Sequence, residues 1–342
     1  MIVKGRLAEL DCLRGIAAIF VVVFHFTLGQ KALNGFFNLG CTGVELFFMI
    51  SGFVIFLTIE KTTSYKKFLW SRFARLYPAY WVCVTLTTLA IIIWSAIVKT
   101  PVTFPGIKDY LANLTMFQYY FNIKNIDGVY WTLIIELLFY LFILIIYLLK
   151  KTLKIEIIGF FITLICLAYG TVIKTMAPNI YNHLGEYLPI LSYFPLFISG
   201  IVFYKIKFYK INALRVLLLA LCFITQILLF ESTGKIVFIS QTQYTIIVAV
   251  FFVVFFLYCF DHLQFIINRG TLFIGKISYS LYLIHDYISS YLLIPMLTHS
   301  RVFHLNYWIA VLIFVTPLVL ILAALINKFI EVPAMKYLKG KI

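Results

Sequence analysis

The run Tyr130-Trp-Thr-Leu-Ile-Ile-Glu136-Leu-Leu-Phe-Tyr-Leu-Phe-Ile-Leu-Ile-Ile-Tyr-Leu-Leu149 holds one charged residue, Glu136, and stops at Lys150-Lys151. A helix crossing the hydrocarbon of a bilayer needs about 20 mostly apolar residues, and this run supplies them. Similar runs lie on either side, at roughly 10–29, 43–59, 76–98, 155–174, 187–204, 212–230, 244–260, 271–294 and 306–329, so the sequence predicts ten spans. Composition agrees: of 342 residues 63% are hydrophobic and 12% charged, with a mean hydropathy of +1.02. Soluble domains carry about one quarter charged residues. An ordinary soluble enzyme, a disordered chain and a collagen-like fibre are therefore excluded. The expected fold class is an all-α polytopic membrane protein. With no linker-like stretch and no short-period repeat, residues 1–342 read as one integral-membrane domain.

The remaining charge is lopsided, 28 Lys and Arg against 13 Asp and Glu, a net +15. Nucleic-acid binding is the reflex interpretation of such a balance, but the basic residues sit in short loops between apolar runs, so no nucleic-acid partner is expected. With the N-terminus inside, 21 cations fall on inner segments (Lys4, Arg6, Arg14, Lys61, Lys66, Lys67, Arg72, Arg75, Lys150, Lys151, Lys154, Lys205, Lys207, Lys210, Arg215, Arg269, Lys276, Lys328, Lys336, Lys339, Lys341). Seven fall outside (Lys31, Lys99, Lys108, Lys124, Lys174, Lys235, Arg301). The positive-inside rule then places both termini in the cytoplasm. Lys4 and Arg6 before an apolar run mimic a signal peptide. Asp11 and Arg14 interrupt that run and no small-x-small site follows, so an uncleaved first span is expected. Cys12, Cys41, Cys83, Cys166, Cys222 and Cys259 are scattered singly, and neither a metal site nor a disulfide framework is indicated. In the long outer loop of about 99–129, the Tyr-, Phe- and Leu-rich Asp109–Phe121 is expected to lie in the interface or dip into the bundle.

Ionisable groups at bilayer depth are expensive and default to functional candidates. In Leu10-Asp-Cys-Leu-Arg14-Gly-Ile-Ala-Ala-Ile-Phe-Val-Val-Val-Phe-His25, Arg14 and His25 are eleven residues apart. That spacing is about 20° from three full helical turns and spans about 16 Å along the axis. Both side chains leave one face, and Asp11, one turn before Arg14, can pair with it. The competing interpretation is a snorkelling Arg and a satisfied core His. Glu45, near the outer end of Gly43-Val-Glu-Leu-Phe-Phe-Met-Ile-Ser-Gly52, is either functional or simply solvated. Ser51 and Gly52 are small enough to permit close helix packing.

Arg72 and Arg75 in Ser71-Arg-Phe-Ala-Arg-Leu-Tyr-Pro-Ala-Tyr-Trp81 share a helix face at i,i+3. They read either as a fork-shaped phosphate receptor or as inner-interface anchors beside Tyr77, Tyr80 and Trp81. Glu136 lies about one and a half turns after Trp131 and calls for a functional or ion-pairing role. His285, in Gly275-Lys-Ile-Ser-Tyr-Ser-Leu-Tyr-Leu-Ile-His-Asp286, is either a structural hydrogen-bonding group or part of the site. Glu331-Val-Pro333 is expected to cap or anchor the last span. His183, His262, His299 and His304 fall in expected loops. Gly270-Thr-Leu-Phe-Ile-Gly275-Lys276 imitates a P-loop, but Ile277 stands where Ser or Thr is required and no strand precedes it.

Taken in order, these segments resemble the acyltransferase type 3 family of integral-membrane O-acyltransferases, which includes the O-antigen and exopolysaccharide O-acetyltransferases. The resemblance rests on Leu10–Gly15 with the Arg14/His25 pair, Gly43–Phe48 with Ser51-Gly-Phe53, and Arg72-x-x-Arg75 before Tyr77–Trp81. Trp131-Thr-Leu with Glu136, Ser278–His285 including Tyr282, and Glu331-x-Pro333 complete it. Glu45 stands where relatives often carry Asp, and the SGNH hydrolase-like domain that some relatives append is not expected here. The resemblance implies a multi-pass protein of the bacterial inner (plasma) membrane, an acyl-CoA donor, usually acetyl-CoA, on the cytoplasmic side, and a glycan or lipid-linked glycan acceptor. It implies that Arg14 and His25 are essential and that Arg72 and Arg75 help hold the donor.

The mechanism expected on this basis keeps the coenzyme A phosphates on Arg72, Arg75 and Arg14. A neutral His25 takes the proton of the acceptor hydroxyl, and Glu136 orients the imidazole. A covalent acyl-His25 route uses the same residues. Asp11, Glu45, Ser51, Trp131, Tyr282 and His285 are supporting candidates. The rival expectation is a proton-coupled transporter or flippase of a glycan or lipid-linked intermediate. The sequence shows no inverted repeat in its favour.

Overall fold

The structure, a computed structural model, describes residues 7–28, 30, 35–99, 105–299 and 304–339. Lys4, Arg6, Lys31, Arg301 and Lys341 of the charge count, and both chain termini, lie outside them. Among the described residues all regular structure is helical: α1 (Ala8–Thr27), α2 (Gly43–Lys61), α3 (Tyr65–Val98), α4 (Ile107–Leu114), α5 (Trp131–Leu148), α6 (Ile155–Ala168), α7 (Lys174–Met176), α8 (Pro178–Tyr187), α9 (Phe194–Phe208), α10 (Ala213–Leu228), α11 (Gln241–Cys259), α12 (Arg269–Ile284), α13 (Ile294–His299), α14 (Tyr307–Ile309), α15 (Thr316–Ile326) and α16 (Val332–Lys339). π turns at Tyr169–Ile173, Ala310–Val315 and Asn327–Glu331 splice α6 to α7, α14 to α15 and α15 to α16. A further π turn, Tyr287–Leu293, follows α12.

Seven helical segments among the described residues are long and apolar enough to cross a membrane: Ala8–Thr27, Asn38–Lys61, Tyr65–Val98, Gly128–Leu148, Thr152–Met176, Gln241–Cys259 and Tyr307–Leu338. The other three expected spans, 187–204, 212–230 and 271–294, fall on shorter helices, α9, α10 and α12. Proline explains the first of these: Pro189 opens a short 3₁₀ turn and Pro195 sits in the first turn of α9, because neither can donate a backbone hydrogen bond. Ile93, Ile97, Phe161, Val253, Leu312 and Ile313 stand exposed, an apolar surface that lipid covers and water does not. The chain is an all-α polytopic membrane protein.

The described chain forms two compact units. The first comprises residues up to Val21, Gly29–Tyr65 and Ile135–Gly275. Its centre is the crossing of α2 and α9. A Cβ on Gly52 would stand 2.1 Å from the Phe197 carbonyl oxygen, and one on Gly200 the same 2.1 Å from that of Met49. Small residues facing each other let the two backbones touch, as helices in lipid require. Around them pack Phe48, Phe53, Phe139, Phe197 and Phe203, all buried. Helix ends are tied by Lys205–Glu60, Lys207–Asp261 and Arg215–Glu156 ion pairs, each 2.5 Å.

The second unit comprises Val22–Leu28, Lys66–Ile134 and the residues after Gly275. Three α3 side chains receive the end of α4. Tyr80 donates to the Asn113 carbonyl at 2.7 Å, Trp81 to Leu114 at 2.9 Å and Tyr77 to Thr115 at 3.0 Å. These are carbonyls that a helix end leaves without intrahelical partners. The buried Asn113 amide spans Asp109, Lys124 and Ile126. The aromatic-rich segment thus folds back onto α3. Glu331 is buried, accepting from Ser280 at 2.7 Å and Asn327 at 2.9 Å. This corrects the expected interfacial cap: the π turn ending at Glu331 keeps its carboxylate against α12.

Candidate functional site

In the second unit two histidines meet. His285 follows the last residue of α12 and is fully buried. Its Nδ1 lies 2.8 Å from the Tyr282 carbonyl and 3.2 Å from that of Leu281. Carbonyls only accept, so Nδ1 carries the proton and Nε2 is left as an acceptor. That Nε2 lies 3.1 Å from Nδ1 of His25, near the end of α1. His25 must therefore be the donor through Nδ1–H. The rings meet edge to face, centroids 5.0 Å apart. Two backbone carbonyls thus fix one tautomer, and that tautomer fixes the next.

Asp286 faces the basic nitrogen: its Oδ2 lies 4.0 Å from His25 Nε2. Behind it is Asp127, fully buried, whose two oxygens accept from the backbone N–H groups of Val129 at 3.2 Å and Tyr287 at 3.1 Å. Burial pushes the Asp127 carboxyl above the usual carboxylate range, and Asp286 adds to the rise, against the pull of those two N–H groups. Tyr282 is buried over His285, its hydroxyl donating to the Val129 carbonyl at 3.0 Å and lying 2.8 Å from Thr132 Oγ1. Trp131 opens α5 and is about one-third exposed. Arg72 and Arg75 lie half-buried on α3. Arg72 Nε donates to Ser71 Oγ at 3.3 Å, and its guanidinium stands 6.0 Å from the Phe68 ring centroid.

The first unit holds the other candidates. Arg14 pairs with Asp11 at 3.4 Å, the i,i+3 contact expected from sequence. Glu136 accepts from Ser51 at 3.1 Å and from Tyr140 at 2.5 Å. Glu45 is fully buried, not solvated, and Lys235 is buried with it at 2.7 Å. Lys235, assigned to an outer loop, follows Gly234, whose φ of +72° turns the chain back. Burial alone would lower the lysine, but Glu45 holds it above the usual lysine range. His183 is exposed but helical, on α8, not in a loop. The six cysteines are buried and unbridged.

Sequence reasoning paired His25 with Glu136 and missed Asp286, Asp127, Thr132, Tyr140 and Lys235. Asp286 adjoined a quoted histidine, so its signal was present. Asp127 had none, because a carboxylate just before a span reads as interfacial. Among the described residues no group of three or more His, Cys, Asp and Glu could hold a metal ion.

Comparison with known proteins supplies the family. The acyltransferase domain profile matches residues 7–328. ORF330 of Acidianus two-tailed virus, whose name proposes an acetyltransferase, is 26% identical over 288 residues, 82% of each chain. Nodulation protein 10 of Rhizobium leguminosarum bv. viciae is 30% identical over 165 residues, 40% of this chain and 43% of the relative. No solved structure matches. A profile spanning nearly the whole helical chain shows that the protein is a multi-pass membrane acyltransferase belonging to the acyltransferase 3 family.

Proposed function

We propose that this acyltransferase moves an acyl group, acetyl in the first instance, from cytoplasmic acyl-CoA to a hydroxyl of a cell-surface or lipid-linked glycan such as O-antigen, capsule or exopolysaccharide. The proposed setting is a bacterial inner membrane with both termini inside. The observation that carries the chemistry is the tautomer chain from Tyr282 and Leu281 through His285 to His25, which commits His25 Nδ1 to donating. In the proposed reaction Nε2 is then the nitrogen that acts as the base.

In the proposed reaction the acceptor hydroxyl gives its proton to His25 Nε2 as its oxygen attacks the thioester carbonyl. The tetrahedral adduct collapses, the carbon–sulfur bond breaks, and the proton passes from His25 to the departing thiolate. The ester and free coenzyme A leave, and His25 is neutral again. Arg72 and Arg75 are proposed to hold donor phosphates, where two guanidiniums give paired charge-assisted contacts. Arg14, with Asp11, is proposed as a further essential cation on the helix of His25. Glu136, held by Ser51 and Tyr140, is proposed as a supporting acid.

The acetyltransferase name of the viral relative supports acetyl as the group moved. The glycan acceptor rests on the sequence resemblance. Mass spectrometry of surface glycans with and without the gene tests it. The expected result is loss of one acetyl mass increment per modified sugar in the deletion strain. No acyl difference in any surface glycan would contradict the acceptor class.

A further inference from the structure

The first unit carries a cleft that the proposed acyl transfer does not use. It lies between the α6–α7 splice, the end of α10 with the turn that follows, and Gln241 at the start of α11. Its volume is about 500 Å³, within the range of small-ligand sites, about 300–1,000 Å³. All of its residues belong to the one compact unit. Local structure opens it. The π turn Tyr169–Ile173 widens the helix there, and Gly170 lets that helix close on the end of α10, where a Cβ would stand 2.7 Å from Leu229 Cδ2. π turns gather at functional sites.

The walls are apolar and the rim is charged. Val172, Met176 and Leu228 line the cleft and stand exposed. Val172 and Met176 end the apolar segment Thr152–Met176, so the cleft opens where a span passes from hydrocarbon to headgroups. At the rim Lys174 pairs with Glu231, their side chains 34% and 58% exposed. A lysine carries three N–H donors and a carboxylate two oxygens, and the contact uses Nζ and Oε2 only. Both ends of the pair thus stay open to a ligand. The hydroxyls of the cleft are already spent: Thr171 donates to the Leu167 carbonyl at 2.7 Å and Thr175 to that of Thr171 at 3.0 Å. Gln241 reaches the Ile227 carbonyl at 3.5 Å. A sugar ring, with a hydroxyl on most carbons, finds little here beyond the ion pair. A plain hydrocarbon would leave the ion pair unused. The guest that matches both features is an amphiphile whose head carries an anion and a cation side by side.

We propose that this cleft binds a membrane phospholipid with a phosphoethanolamine headgroup. Phosphate oxygens accept from Lys174, the primary ammonium donates to Glu231, and the first carbons of the chains lie on Val172, Met176 and Leu228. Charge sets the selectivity. A phosphoglycerol head brings an anion but no cation, and Glu231 repels it. A phosphocholine head brings a cation with no N–H to donate. The primary ammonium alone completes both contacts as charge-assisted hydrogen bonds. The inference stands apart from the acyl-transfer reading, because no residue of the cleft is among those proposed to bind donor or move protons.

The test is native mass spectrometry of the full chain released from vesicles that hold equal amounts of phosphatidylethanolamine, phosphatidylcholine and phosphatidylglycerol with identical chains. Wild type is expected to retain phosphatidylethanolamine over each of the others by about threefold or more, the scale of one exposed ion pair. Lys174→Gln should lower retention of phosphatidylethanolamine. Glu231→Gln should bring it down to the level of phosphatidylcholine while phosphatidylglycerol rises. Val172→Trp, which fills the cleft and leaves the ion pair, should lower retention of all three. Each variant changes a surface side chain, and a monodisperse size-exclusion profile confirms that it is folded. Equal retention of the three lipids by wild type, or wild-type selectivity in the Lys174→Gln/Glu231→Gln double variant, overturns the proposal. So does displacement of the retained lipid by isolated surface glycan, or by glycerophosphoethanolamine, which has the headgroup without the chains. Those outcomes would assign the cleft to a sugar or to a soluble phosphate ester.

Discussion

His285 Nε2 lies 3.1 Å from His25 Nδ1, and that contact determines which nitrogen of His25 can take a proton. With Nδ1 of His285 committed to two helix carbonyls, the pair has one consistent arrangement of protons. Replacing His285 by Phe keeps a planar ring but removes the acceptor. His25 is then free to present either tautomer, and a hydrogen bond of about 1–1.5 kcal/mol is lost. A fall of about tenfold in kcat with little change in coenzyme A affinity is expected from steady-state kinetics and calorimetry. Wild-type kcat in His285→Phe would show that the contact does not orient the base.

Arg72→Ala and Arg75→Ala should each weaken coenzyme A binding by about 1.5–3 kcal/mol, the range for a hydrogen bond to a charged group. Arg→Lys should recover only part of this, because an ammonium lacks the planar fork. Titration calorimetry in detergent decides the matter. Equal affinity in the double alanine variant and wild type would return both residues to membrane anchoring.

Glu45 and Lys235 form an ion pair with almost no solvent access. Removing one partner strands a buried charge, so Glu45→Gln or Lys235→Met alone should cost about 3–5 kcal/mol of stability. The double variant should recover most of that loss. Thermal unfolding in one detergent measures both. A double variant as unstable as the sum of the singles would show that the two residues act independently.

At the α2–α9 crossing the backbones touch through Gly52 and Gly200. A Cβ in either place overlaps a carbonyl oxygen and not a flexible side chain, so the helices must separate. Gly52→Val should therefore lower folded yield sharply, whereas Leu→Ile at lipid-exposed Leu312 should not. Size-exclusion profiles of the two variants at equal expression check this. A monodisperse Gly52→Val protein at wild-type yield would contradict the crossing.

The helical class was legible because bilayer thickness imposes a length and an apolar content that stand out in one dimension. Helix interruptions were less legible. The 187–204 run is apolar enough to suggest a span, yet Pro189 and Pro195 divide it. The π turns leave no sequence signal, since they arise from packing and not from residue propensity. Among the candidate residues, Arg14–Asp11 was readable because partners at i,i+3 share a helix face. Glu45–Lys235 and His25–His285 join residues 190 and 260 positions apart, and no local rule predicts such pairs. Glu45 stayed open between a functional and a solvated role because its cation was hidden in what read as an outer loop.

The central claim is that His25 is the base for acyl transfer. The most direct measurement is transfer of radiolabelled acetyl from acetyl-CoA to isolated glycan by the purified protein in vesicles, comparing wild type with His25→Ala and His25→Gln at equal coenzyme A occupancy. Loss of a general base typically costs about 10²–10⁴-fold, and the amide cannot accept a proton at neutral pH, so both variants should fall at least a hundredfold while still binding the donor. Transfer by His25→Ala at the wild-type rate would contradict the account.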